Sequence, residues 1–100
     1  FSIQDRNPRN MFGDTPLHRA AKNGHTEICR IFMNTAAEPK NNPPNCDGIT
    51  PLHMAARKGH AKTVQLFVER LKNLNLRTNS GDTPLHFAAK NGHLKVFPPY

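Results

Sequence analysis

Six histidines carry most of the reactive chemistry of this 100-residue chain, and they fall in three pairs: His18 and His25, His53 and His60, His86 and His93. Imidazole nitrogens ligate metals and move protons near neutral pH. A metal site would pair His18 with His25, or Cys46 with His53. Each histidine pair, however, is seven residues apart with Gly24, Gly59 or Gly92 between its members. That spacing places the two rings on different elements instead of at i and i+4 on one helix face. The seven carboxylates, Asp5, Asp14, Glu27, Glu38, Asp47, Glu69 and Asp82, form no paired pattern for acid–base work. Neither Cys29 nor Cys46 lies in a nucleophile signature, and no glycine-rich phosphate loop follows a strand. These residues predict no catalysis, no metal and no cofactor.

The elements that hold the histidines repeat. Gly13-Asp14-Thr15-Pro16-Leu17-His18-Arg19-Ala20-Ala21-Lys22-Asn23-Gly24-His25 returns as Gly48-Ile49-Thr50-Pro51-Leu52-His53-Met54-Ala55-Ala56-Arg57-Lys58-Gly59-His60. A third copy runs Gly81-Asp82-Thr83-Pro84-Leu85-His86-Phe87-Ala88-Ala89-Lys90-Asn91-Gly92-His93. From Thr15 to Thr50 is a step of 35 residues, and from Thr50 to Thr83 a step of 33. The block resembles the ankyrin repeat, whose period is 33 and whose signature is Thr-Pro-Leu-His-x-Ala. The resemblance covers nearly the whole chain. It implies an all-α solenoid of stacked helix-turn-helix pairs joined by β-hairpin-like loops. It also implies that the first histidine of each repeat bonds near the threonine at the helix start, while the second stitches neighbouring turns.

Local physics gives the same elements. Threonine caps a helix, and proline in its first turn lacks only a donor the helix could not use. Leu17, Ala20 and Ala21 then fall at i, i+3 and i+4 on one face. Leu52, Ala55, Ala56 and Leu85, Ala88, Ala89 repeat that face, and glycine closes each helix in the left-handed conformation. Second helices follow. One carries Ile28, Ile31 and Phe32 on a face beside Cys29, and the other Val64, Phe67, Val68 and Leu71. No pair can bury its apolar face alone, so the pairs must stack.

The pattern divides one domain into residues 1–12, the end of a preceding hairpin connection; 13–47, a first repeat with a loop insertion; 48–80, a second repeat; and 81–100, a truncated third. The insertion, Glu38-Pro39-Lys40-Asn41-Asn42-Pro43-Pro44-Asn45-Cys46, reads as a distorted hairpin finger. Pro98 and Pro99 should end the last helix after about a turn. A start at Phe1 and a short third copy read as an excerpt from a longer array, in preference to a natural C-terminus covered by a partner, and the chain is expected to be a monomer or a fragment of such an array. No apolar run approaches the roughly 18 residues of a membrane span. Nor does a secretory signal open the chain. Two sparse cysteines fit a reducing compartment, cytoplasm or nucleus.

Function then falls to the surface. The resemblance implies protein binding through the hairpin tips and the exposed side of the first helices. The tip positions are Asp14, Ile49 and Asp82. The position after Thr-Pro-Leu-His holds Arg19, Met54 and Phe87, and the two positions before Gly-His hold Lys22-Asn23, Arg57-Lys58 and Lys90-Asn91. Met54 and Phe87 read equally as a binding patch or as packing between repeats. The basic residues read as partners of helix C-terminal dipoles or as a row facing an acidic protein surface or peptide. A formal charge of +7 leans toward acidic partners. The alternative is an electrostatic binder of anionic lipid headgroups or nucleic acid. Nucleic acid is the weaker of these, since charge is present without an aromatic ladder or a recognition helix.

Overall fold

The computed structural model describes residues 11–35 and 42–93. Five helices follow one another: α1 (Pro16–Lys22), α2 (Thr26–Thr35), α3 (Pro51–Lys58), α4 (Ala61–Arg70) and α5 (Pro84–Lys90). All are shorter than the length at which a helix holds by itself in water, so packing must sustain them. Helix α1 lies on α3 and α3 on α5, while α2 lies on α4 behind them. The result is the expected all-helical repeat stack. Among the described residues no strand forms. The loops before α3 and α5 close by backbone bonds: Asn45 N–H donates to the Ile49 carbonyl at 2.8 Å, and Thr78 N–H to the Asp82 carbonyl at 2.9 Å. The turns also step onto one another. Cys46 N–H donates to the Phe12 carbonyl at 3.1 Å, and Asn79 N–H to the Asp47 carbonyl at 2.9 Å.

Buried alanines let the first helices approach. Ala21, Ala55, Ala56 and Ala88 are fully enclosed, with Leu17 and Leu52 beside them. Phe67 and Val64 of α4 and Cys29 and Met33 of α2 fill the space behind, and Leu66 and Leu71 complete it. A hydroxyl pair, Thr26 Oγ1 to Thr63 Oγ1 at 2.8 Å, ties α2 to α4 within this region.

Two apolar faces differ from expectation. In α2 the inward residues are Cys29, Met33 and the half-buried Phe32, whereas Ile28 and Ile31 are 46% and 62% exposed. Both triplets obey helical spacing, and contact with α4 selects the one containing Cys29. In α5, Leu85 is 44% exposed and Ala89 is exposed, although Leu17 and Leu52 are buried at the same position. Helix α5 meets α3 on one side, and among the described residues nothing packs on its other side as α5 packs on α3. The inserted finger falls among the described residues only from 42 to 46. There Asn42 is buried and its Oδ1 accepts the Leu52 N–H at 3.2 Å, which ties the insertion to α3. Residues 1–10 and 94–100, with the expected preceding connection and final short helix, lie outside the described residues.

Gly59 closes α3 at φ +75°, where a side chain would be strained, and a Cβ there would sit 2.8 Å from His93 Nδ1. Gly92 has nearly the same φ, +73°, but among the described residues nothing lies within 4 Å of a Cβ there. Alanine at either site costs about 1–2 kcal/mol for the left-handed backbone, and only Gly59→Ala must also displace a ring. Thermal melts should place Gly59→Ala several degrees below Gly92→Ala; equal losses would show that the His93 ring is not packed on α3.

Candidate functional site

Most groups that could do chemistry are consumed by the stack. Thr15 Oγ1 accepts the His18 N–H at 3.3 Å, and His18 Nδ1 accepts the Thr15 N–H at 3.0 Å. Thr50 with His53 and Thr83 with His86 close the same reciprocal box. Histidine here takes the place that glutamate or glutamine holds in the usual capping box. With Nδ1 accepting, Nε2 carries the proton and donates outward. His18 Nε2 donates to the Ile49 carbonyl at 2.7 Å, and His53 Nε2 to the Asp82 carbonyl at 2.9 Å. Of the second histidines, His60 binds along the other edge: its Nε2 donates to the Lys22 carbonyl at 2.9 Å while its ring covers Gly24, as the His93 ring covers Gly59. All three acceptors are main-chain oxygens of residues that the sequence places on the binding surface. Among the described residues no three histidine, cysteine or carboxylate side chains gather as a ligand set. Burial pushes the Cys29 thiol up to about 11, so it stays protonated, while Cys46 is exposed and free.

The candidate surface residues divide into three groups. At the turn tips, Asp14 Oδ1 accepts from Asn45 Nδ2 at 2.9 Å, Asp82 pairs with Lys90 at 3.1 Å, and Ile49 is half-buried. Next along the first helices, Arg19 is exposed, whereas Met54 and Phe87 are half-buried. Phe87 meets His53 edge-on, with ring centroids 5.1 Å apart, so it contributes to packing between α3 and α5 and still shows part of its ring. At the helix ends Lys22, Arg57, Lys58 and Lys90 are exposed in the last turn, where their charge suits the helix dipole. Asn23 and Asn91 are exposed as well, but each turns its amide back on its own helix, to the Arg19 and Phe87 carbonyls at 2.9 and 3.0 Å. Sequence spacing alone could have found those two bonds, since each spans four residues.

Six candidates recur at matching positions of the first helices: Arg19 and Lys22 of α1, Met54 and Arg57 of α3, and Phe87 and Lys90 of α5. Each pair is three apart on its helix, and the three helices lie side by side. A second feature escaped sequence reasoning. A groove of about 640 Å³ runs between α2 and α4, lined by Glu27, Ile28, Arg30, Lys62, Leu66 and Glu69 among others. Its acids and bases balance, and Glu27 and Arg30 already pair at 3.3 Å. Only the packing of α2 on α4 creates it, so no local pattern announces it.

The chain matches the family described as Ankyrin repeats (3 copies), over residues 2–70 and 36–98. It belongs to the ankyrin-repeat family. A search of curated proteins found no match. Ankyrin repeats are generally protein–protein interaction modules, and ankyrin domains are typically non-catalytic. No helix among the described residues is long and apolar enough to cross a membrane.

His53 makes this ankyrin stack sensitive to acid. Burial holds His53 below its ordinary value of 6.5, and the Asp82 carbonyl and carboxylate only partly oppose that. Protonation would also put a hydrogen on Nδ1 where the Thr50 N–H already points, 3.1 Å away. The unfolded chain therefore takes up the proton first. Stability from the neutral ring is fully present above pH 6.5 and declines as the pH falls below it. The melting temperature should drop on going from pH 7.5 to 5, and His53→Gln should show a shallower pH slope from a lower starting value. A parallel slope in the variant would show that His53 does not contribute to the effect.

Proposed function

We propose that this chain is a non-catalytic protein-interaction domain within a larger intracellular scaffold or regulatory protein, acting in the cytoplasm or nucleus. Its partner docks on the face made by α1, α3 and α5 and by the turns that precede them. The observation that carries this reading is the pairing, on a family fold used for protein binding, of half-buried Met54 and Phe87 with the exposed cations Arg57, Lys58 and Lys90. Apolar anchors beside charges that remain in water are the composition of a protein interface, with a core to bury and a rim to steer. The sequence divisions 13–47, 48–80 and 81–100 serve in this reading as successive units of one binding surface.

Two free cysteines support a reducing environment. Four histidines support a scaffold role in a different way: His18, His53 and His86 in caps and His60 between helices leave the face itself to side chains that recognise.

Affinity capture from cell extract tests the proposal, comparing the chain with a Met54→Glu, Phe87→Glu variant shown by circular dichroism to remain folded. Proteins held by the original at physiological salt and lost by the variant are the expected result. If both recover the same set, and moderate salt strips that set away, the binding is electrostatic and the rival reading, an anionic lipid headgroup or nucleic acid, replaces this one.

A further inference from the structure

Two parallel rows cross the exposed face. One row is Arg19, Met54 and Phe87; the other is Lys22, Arg57 and Lys90, a residue from each of α1, α3 and α5 in both cases. Packed helices stand about 8–10 Å apart, so one cation recurs at each such step. Within a helix the two rows lie three residues, or about 4.5 Å, apart. The strip is thus long and narrow.

Most of its charge is available. Among the described residues Lys22, Arg57 and Lys58 make no ion pair, and Arg19 makes none. Two acids of the turn tips are already engaged, Asp14 by Asn45 and Asp82 by Lys90. Lys90 shares its charge between Asp82 and the Phe87 ring, 6.0 Å from its centroid. On α1 and α3 the cations remain unpaired among the described residues, and on α5 Lys90 continues the row.

A ligand that answers every cation must carry carboxylates at the same step. A polyproline-II segment turns once in three residues and rises about 9.3 Å in doing so, which matches the helix spacing. A β-strand presents same-side residues about 6.6 or 13 Å apart and falls out of register. An α-helix could place acids about 10.5 Å apart, seven residues on, but with side chains it is about 10–12 Å wide and overhangs so narrow a strip. Proline between the acids would present a low, apolar edge to Met54 and Phe87, and such a segment surrenders little entropy on binding. We infer that this face takes an acidic polyproline-II segment whose carboxylates recur every third residue, one each for Lys22, Arg57 and Lys90. The inference rests on the protein-binding reading above and specifies its partner.

Fluorescence anisotropy with two labelled peptides of identical composition tests it. One repeats Glu-Pro-Pro four times; the other gathers the same four glutamates at one end. The repeated peptide should bind about fivefold or more tighter at physiological salt. Lys22→Glu and Arg57→Glu should each weaken it about tenfold, a loss of about 1.4 kcal/mol in binding. Arg57→Gln should weaken it less, and circular dichroism should find every variant folded. Equal affinity for the two peptides, or binding untouched by Arg57→Glu, would overturn the register. A helical peptide with glutamates seven apart that bound more tightly than either would overturn the conformation. If neither peptide binds while capture still depends on Met54 and Phe87, the acidic partner is wrong and the protein-binding reading stands. If that capture fails too, both fall.

Discussion

A neutral imidazole held between two backbones organises this structure. Its Nδ1 receives the N–H of the threonine that caps the helix, and its Nε2 gives a hydrogen to a carbonyl in the next turn. One ring therefore closes the helix start, fixes its own tautomer and sets the distance to the following unit. His18 and His53 are fully buried, a placement that a charged or unpaired ring could not sustain. Alanine at the contact positions permits the approach that brings the carbonyl within reach. Glycine after each first helix sends the chain back along the stack, and the second histidine lies across the previous glycine.

The same economy explains how a modest chain reaches order. Among the described residues no helix exceeds 10 residues, and the largest fully buried side chain is Phe67. Stability is shared among neighbours, each unit giving one face and one set of donors to the next. Helix α3, with α1 on one side and α5 on the other, has both faces satisfied. The exposed Ile28 and Ile31 of α2 and Leu85 of α5 mark positions whose counterparts in the interior, Thr63, Leu66 and Leu52, are covered.

Much of this was legible in the sequence because the signals are local and repeated. Thr-Pro-Leu-His followed by Gly-His specifies cap, helix and stop within a dozen residues, and recurrence specifies the stack. What was not legible depends on partners distant in sequence. Ile28, Ile31 and Phe32 have the same helical spacing as Cys29, Phe32 and Met33, and only the position of α4 distinguishes them. Asn45 reaches Asp14 across 31 residues, and Asn79 reaches the Cys46 carbonyl across 33, bonds that no window of local pattern contains. Phe87 was readable as surface or packing, and its edge-on contact with His53 gives it a share in packing that the residue type alone left open.

The carbonyls that receive the histidines belong to Ile49, Asp82 and Lys22, three residues of the candidate binding face. Their main chains carry the architecture while their side chains face other tasks. Any residue with a peptide carbonyl can serve as acceptor there, so the scaffold is largely indifferent to which side chain occupies these positions. Selection can thus rewrite the vocabulary of recognition without renegotiating the grammar of folding, and a new specificity can arise on this stack by substitutions that the fold scarcely registers.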